Sequence, residues 1–320
     1  MLPTGTPPDW EAVDIAVPRR SNRLPGVSMA GFRQRFPAPV DIAMVAHPMV
    51  TVLIDLSEGE GIVSESRGRR ERGSVVIGLM PGELRAGGRV GECLQIRLEP
   101  DVAAAVLDAS PDLNGTMAPL ADVWGRDAGR LEDRLRATAS WDERFGIAAE
   151  AVGRRIRVRT PVEPEVAHSW RRTLTSRGRI QVDSLADEVG WDRKRLWSRF
   201  RSQLGISPKR AIRLVRFDNA AHLLAAGHAA AGVAAECGYA DQSHLNREVK
   251  AFTGNTPSAV AVAPWLAIDD VAWPASSPDR PAVADALRAG RPGLDQPSLV
   301  SMVEIREVGV HRRSAGTEGA

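Results

Sequence analysis

The stretch from Gly238 to Pro257, GYADQSHLNREVKAFTGNTP, combines a row of hydrogen-bonding side chains with a row of apolar ones. At 100° per residue, Leu245, Val249 and Phe252 lie along one side of a helix. The opposite side then carries Gln242, Ser243, Asn246, Arg247 and Lys250. Arginine can pair with guanine, asparagine and glutamine can pair with adenine, and lysine can bind phosphate. These residue types predict a helix whose polar side reads a DNA major groove.

A second copy of this unit lies upstream, from Leu185 to Pro208, and its turn is one residue shorter. Each copy predicts a helix, a turn at glycine and a second helix capped by Asp192 or Asp241, which is the pattern of a helix-turn-helix. The polar side of the second helix in the first copy carries Lys194, Trp197, Ser198 and Arg201. An ordinary solvated helix face is the default interpretation of one such helix, but two matched copies argue against it.

The segment between the copies predicts a long connecting helix. It begins with Ser207 as a cap and Pro208 at the first helical position, and apolar residues then recur at helical spacing. A rigid helix here would hold the two units apart, so that both second helices could enter successive major-groove faces of one duplex, roughly 34 Å apart.

Positive charge is concentrated in the same region. Residues 176–263 contain thirteen Lys and Arg against eight Asp and Glu, a net charge of +5, whereas the whole chain carries +2. Such asymmetry indicates a polyanionic partner, although a basic solvated surface without a partner would also account for it.

The remaining chain divides into a β-rich part and a helical part. Between residues 41 and 98, apolar runs such as MVTVLIDL and CLQIRL alternate with Gly-rich breaks, which is typical of antiparallel strands in a small sandwich or barrel. After Pro100, apolar residues three and four apart predict helices. We therefore predict an α+β protein with an irregular N-terminal arm (1–36), a sensor or dimerisation domain (37–160), a linker (161–176), an all-α domain of two helix-turn-helix units (177–263) and a disordered tail (264–320).

The duplicated unit, the SPKR opening of the connecting helix and above all GYADQSHLNREVKAFTGNTPSAV resemble the DNA-binding domain of AraC/XylS-type bacterial transcription regulators. Ser198 departs from the family pattern, which usually has arginine there. The resemblance implies a jelly-roll or cupin-like N-terminal regulatory domain that binds an effector, dimerises, or both. It also implies DNA-facing side chains at Lys194, Trp197, Ser198, Gln242, Ser243, His244, Asn246 and Arg247.

The expected function is thus sequence-specific transcription regulation, as an activator, in the bacterial cytoplasm. The expected partners are double-stranded promoter or operator DNA, RNA polymerase, a small-molecule effector and a second copy of the chain. The alternative is a regulator without an effector, whose N-terminal half serves dimerisation or polymerase contact. Aromatic residues make up only 5% of the chain, so no aromatic-lined pocket is evident and both interpretations stay open.

Catalysis, bound metals, cofactors and membrane insertion are not expected. No GxSxG, P-loop or GxGxxG pattern falls on a suitable strand-to-helix turn, and His47 is the only histidine before His168. Cys93 and Cys237 have no partner at metal-ligand spacing, and we expect both to be buried as small apolar side chains. Apolar runs are too short to cross a bilayer. The tail after Pro264 is expected to be dispensable for DNA binding.

Overall fold

The computed structural model describes residues 10–273, with short gaps at 20–23, 37–38, 59–60, 67, 80–83, 90, 108–112 and 159–161. The strands are β1 (Val13–Ala16), β2 (Val27–Gln34), β3 (Pro39–Met44), β4 (Val50–Asp55), β5 (Gly61–Ser66), β6 (Arg69–Arg72), β7 (Val75–Ile77), β8 (Leu84–Arg89), β9 (Glu92–Leu98) and β10 (Met117–Pro119).

The strands form two antiparallel sheets. The first sheet has the order β1-β2-β9-β4-β7-β10, and the second has the order β3-β8-β5-β6. One apolar cluster includes Phe32 and Leu53 from the first sheet and Met44 and Ile62 from the second, so the two sheets share a core. The predicted β-rich, jelly-roll-like N-terminal region is confirmed, and its apolar runs form the expected strands.

The helices follow the sheets in the chain. They are α1 (Pro100–Val106), α2 (Leu120–Trp124), α3 (Arg126–Arg136), α4 (Trp141–Val158), α5 (Pro164–Thr175), α6 (Val182–Glu188), α7 (Arg193–Leu204), α8 (Pro208–Ala225), α9 (Ala230–Glu236), α10 (Gln242–Thr253), α11 (Pro257–Ala261), α12 (Pro264–Ala267) and α13 (Asp269–Ala272). Among the described residues, no helix is long and apolar enough to span a membrane.

Strand β9 has two differently packed faces, because successive side chains of a strand point in opposite directions. Leu94, Ile96 and Leu98 belong to the core that the first sheet shares with the helices. Cys93 lies in the core between the sheets, and Gln95 and Arg97 alternate onto the same face. The face between the sheets is therefore the more polar one.

Helix α4 lies directly against the outer face of the first sheet. A Cβ atom at Gly31 of β2 would come within 2.3 Å of the Trp141 ring, so only glycine allows this approach. Phe145 is fully buried one turn later and stacks on Trp141 with ring centroids 5.9 Å apart. The trailing helices are thus an integral layer of the N-terminal half.

Three predicted boundaries are wrong. The arm 1–36 contains β1 and β2, and the four central residues of β2, MAGF, are all buried because both faces of this strand are covered. The linker 161–176 is mostly helix α5, whose Val166, Trp170 and Thr173 are buried at helical spacing.

The start of the predicted disordered tail is also ordered. Helices α12 and α13 place Trp265, Ile268 and Trp273 in the core between the two sheets. We call residues 264–273 the strap. The rest of the tail, including the strand-like SLVSMVEIREVGV, lies outside the described residues.

Candidate nucleic-acid interface

The two helix-turn-helix units have matching ends. The Asp192 carboxylate accepts a hydrogen bond from the backbone N–H of Arg195, and Asp241 accepts one from His244, so each second helix has an acidic N-cap as predicted. Gly205 and Gly254 end α7 and α10 in the left-handed conformation, with φ of 72° and 73°. Because these caps are local, the two copies fold alike despite different sequences.

The duplication continues into the next helix of each unit. Ser207 caps α8 by accepting from the N–H of Arg210, and Thr256 caps α11 by accepting from Ala259; each cap is followed by proline. Helix α8 has eighteen residues and is therefore about 27 Å long. It is the predicted connecting helix between the units.

Burial separates two faces on α7 and α10. Leu196, Phe200 and Leu204 of α7 are buried, as are Leu245, Val249 and Phe252 of α10. Nine of the ten predicted DNA-facing side chains are exposed: Lys194, Trp197, Ser198, Arg201, Gln242, Ser243, Asn246, Arg247 and Lys250. Trp197 is 49% exposed, which is unusual for tryptophan, and the Arg201 guanidinium lies 5.4 Å from its ring centroid.

The Lys and Arg side chains on the exposed faces of α7 and α10 differ from neighbouring Arg side chains, because they have no ion-pair partner among the described residues. Arg193 pairs with Asp183 at 2.8 Å, and Arg199 pairs with Glu163 at 3.1 Å. By contrast, Lys194, Arg201, Arg247 and Lys250 form no ion pair with another described residue. Their charges therefore remain available to an anion such as a phosphate group.

His244 differs from the other residues that the family resemblance assigns to the DNA-facing side. It is half-buried, and its ring meets the Tyr239 ring edge-on with centroids 5.3 Å apart. The Ala240 backbone N–H donates to His244 Nδ1 at 3.4 Å. The ring thus packs against the turn that precedes α10.

Sequence reasoning missed a buried carboxylate on α10. Glu248 is 3% exposed and accepts hydrogen bonds from Arg213 Nε at 2.7 Å, Arg216 Nη2 at 3.1 Å and the Tyr239 hydroxyl at 3.0 Å. Burial, and next the Glu248 charge, raise the pKa of Tyr239, so this hydroxyl stays protonated and donates. Glu248 follows Leu245 by three positions, a spacing that could have placed it beside the apolar stripe.

The Glu248 cluster fixes the orientation of the second reading helix. Arg213 and Arg216 both belong to α8, so their bonds to Glu248 fasten α10 to the connecting helix. Charge-assisted hydrogen bonds are shorter and roughly twice as strong as neutral ones, and they add a direction that apolar packing lacks.

The first unit contacts the N-terminal half. Asn114 donates a hydrogen bond to the carbonyl oxygen of Gly205, the residue that ends α7. Helix α5 also supports this unit, because Trp170 is fully buried with its ring centroid 6.4 Å from that of Phe200.

Both cysteines are buried as predicted. Burial, with the nearby Asp55 charge, raises the pKa of Cys93 to about 12. Its thiol is therefore protonated at neutral pH. Among the described residues, no group of three or more His, Cys, Asp or Glu side chains could hold a metal ion.

A family model described as a helix-turn-helix domain matches residues 185–261, which contain both units. No curated protein matches the chain. Similar solved structures include ToxT from Vibrio cholerae O395, with 11% identity, 74% of this chain and 97% of that chain covered, and a TM-score of 0.42.

Two further solved structures are similar over different shares of the chain. The C-terminal domain of AraT, a response regulator from Geobacillus stearothermophilus, has 21% identity, covers 31% of this chain and 85% of its own, and has a TM-score of 0.30. The AraC-like transcriptional activator CuxR has 15% identity, covers 64% and 86%, and also has a TM-score of 0.30. TM-scores of this size carry no functional argument.

Proposed function

We propose that the chain, which carries a helix-turn-helix domain, is a DNA-binding transcription regulator of the AraC/XylS type, in which α7 and α10 read the target sequence and the N-terminal half controls that reading. The observation that supports this proposal best is the pair of matched helices, each with one buried apolar face and one exposed polar face whose cations lack ion pairs within the described chain.

In the second unit, Asn246 and Arg247 lie near the middle of α10 on its exposed side, where a helix seated in the major groove reaches base edges. Lys250 lies nearer the helix end and is assigned to the phosphate backbone. Gln242 and Ser243 lie at the start of the helix, where a side chain can contact either the DNA phosphate backbone or a base edge. His244 supports the turn through Tyr239 and is assigned no base contact.

In the first unit, we assign Lys194 and Arg201 to phosphate contacts and Trp197 to an apolar contact with a thymine methyl group or sugar. Ser198 is short and offers one hydroxyl. Sequence preference should therefore come mainly from α10, with α7 contributing affinity.

Control by a small-molecule effector is the finer part of the proposal. It is supported by connections between the two halves: Asn114 reaches the end of α7, and the strap joins α8 to the core between the sheets. The alternative is an N-terminal half that serves dimerisation or polymerase contact without an effector.

Removal of Arg247 tests the reading function. We expect Arg247→Ala to lower the specific-to-scrambled affinity ratio by about 1–3 kcal/mol and to relax preference at one base pair, while weak non-specific binding persists. Lys250→Ala is the matched control: it should weaken specific and scrambled duplexes in parallel and lower the salt slope by about one. The measurement is a binding titration on both duplexes at several salt concentrations.

An unchanged specific-to-scrambled affinity ratio in Arg247→Ala would show that α10 is not the reading helix. The specific duplex for this titration comes from genome-wide mapping of bound DNA, and the genes beside those sites would also indicate an effector class.

Dimerisation is a second proposal for the N-terminal half. A groove of about 520 Å³ between α3 and α4 is lined in part by Leu131, Ala151 and Val158, and Val158 is 82% exposed. We expect a second copy to cover this groove, which Arg130, Arg134, Arg154 and Arg155 also line, so Val158→Lys should weaken self-association roughly tenfold by adding a further cation among these arginines. Val262→Lys, at a valine 62% exposed after α11, should have no such effect.

Sedimentation velocity measures the dimer fraction of the wild type and both variants. A wild-type chain that stays monomeric at tens of micromolar would refute this part of the proposal.

A further inference from the structure

The space between the two sheets is occupied by the chain's own strap. Trp265, Ile268 and Trp273 are each no more than 5% exposed and belong to the same apolar cluster as strand residues from both sheets. Trp265 lies 5.9 Å from Phe32 and 6.3 Å from Trp10, measured between ring centroids. A segment more than 140 residues away in the chain therefore completes this core.

The strap also contributes a charge to this interior. Asp269, 4% exposed, pairs with Arg97 of β9 at 3.0 Å and with His222 of α8 at 2.9 Å. The Arg97 guanidinium lies 4.0 Å from the centroid of the Trp273 ring. Arg97 thus holds a carboxylate and an aromatic ring together.

Several polar atoms of this interior are not satisfied by the strap. Ser64 Oγ, Gln95 Oε1 and the indole nitrogens of Trp265 and Trp273 are buried and have no hydrogen-bond partner among the described residues. Native proteins pair more than about 90% of buried polar groups, so four in one interior is a large number. Ser64 and Gln95 line the sheets and would be suited to an occupant with its own polar atoms.

We propose that the strap is an intramolecular plug, and that a small aromatic carboxylate competes with Asp269 and Trp273 for Arg97 in the space between the sheets. The ligand class follows from the groups beside Arg97 in the plugged state, which include the Asp269 carboxylate and the ring faces of Trp265 and Trp273. The inference rests on the proposed effector control and supplies its chemistry.

Displacement of the plug has a direct route to the DNA-binding domain. His222 Nε2 lies 2.9 Å from the Asp269 carboxylate, and His222 Nδ1 lies 2.7 Å from the carbonyl oxygen of Asp218. When Asp269 leaves, α8 loses this bond to the N-terminal half. Helix α8 connects the two helix-turn-helix units, so both reading helices are released from one constraint.

Hydrogen exchange on the full wild-type chain tests the plug without a substitution. The probe is indole-3-acetate, which combines a carboxylate and an aromatic ring, and the control is its neutral amide, indole-3-acetamide. We expect indole-3-acetate to raise amide exchange in residues 264–273 about tenfold or more, and the amide to have no effect. Unchanged or slower exchange there would identify the strap as a permanent part of the core and overturn the proposal.

Binding calorimetry of the same probe gives a second, independent result. A plug lowers apparent affinity by the fraction of time it is open, so Asp269→Asn should bind indole-3-acetate about tenfold to a hundredfold more tightly than the wild type. Arg97→Gln should abolish binding, and Asp133→Asn, at an exposed aspartate on α3, should match the wild type. Equal affinity of the wild type and Asp269→Asn would contradict competition. If a variant does not fold, the exchange experiment on the wild-type chain still tests the plug.

Neither experiment contains DNA, so their failure leaves the reading function intact. The duplex titration can then be repeated with indole-3-acetate. If this probe moves the strap but does not change DNA affinity, the plug proposal is supported and the proposed effector control is refuted.

Discussion

Trp170→Ala should lower the free energy of unfolding by about 3–5 kcal/mol, a large loss for a single substitution. Trp170 is fully buried on α5 and packs against Phe200 of α7. Truncation to alanine leaves a cavity that a rigid pair of helices cannot fill. The measurement is urea unfolding of the full chain, followed by far-ultraviolet circular dichroism.

Trp197→Ala is the matched control, because it makes the same chemical change on α7 at an exposed position. It should change the unfolding free energy by no more than about 0.5 kcal/mol, while lowering DNA affinity. Trp170→Phe should lose much less stability than Trp170→Ala, because Trp170 Nε1 makes no hydrogen bond to a described residue and the smaller ring keeps most of the packing. Equal stability of Trp170→Ala and Trp197→Ala would mean that α5 is a linker after all.

The helix-turn-helix units could be predicted closely because their signals are local. An aspartate cap, a left-handed glycine and an apolar residue every three or four positions act within one or two helical turns. Both copies of the unit carry all of these signals. The exposed faces followed from the same periodicity. Only His244 departed, because its contact with Tyr239 depends on the shape of the preceding turn.

The missed features depend on contacts between distant residues. Arg97 and Asp269 are 172 positions apart, and nothing in the Pro- and Gly-rich tail indicates that its first ten residues pack between two sheets. Helix α5 was missed for a different reason: Pro164 suggested a break, although proline at the first position of a helix is favourable. Strand β2 was missed because VSMAGFRQ is short and flanked by arginine and proline, and its central residues are buried on both faces and so do not alternate.

Glu248→Gln should lower the unfolding free energy by about 2 kcal/mol and reduce sequence preference in DNA binding. Arg213, Arg216 and Tyr239 all donate to the buried carboxylate, and a neutral amide offers one acceptor oxygen in place of two charged ones. Because two of the donors lie on α8, weaker hydrogen bonds to residue 248 hold α10 less firmly against α8. The loss is smaller than for a fully enclosed ion pair, since Arg213 remains 39% exposed.

The test combines urea unfolding with the duplex titration. Glu236→Gln, the same change at an exposed position on α9, should shift the unfolding free energy by no more than about 0.5 kcal/mol. A double-mutant cycle of Glu248→Gln with Arg216→Gln should give a coupling energy of about 1 kcal/mol, because each substitution removes the same buried contact. A coupling energy near zero, with normal sequence preference in Glu248→Gln, would show that α10 is held by its apolar face alone and that the carboxylate does not orient the reading helix.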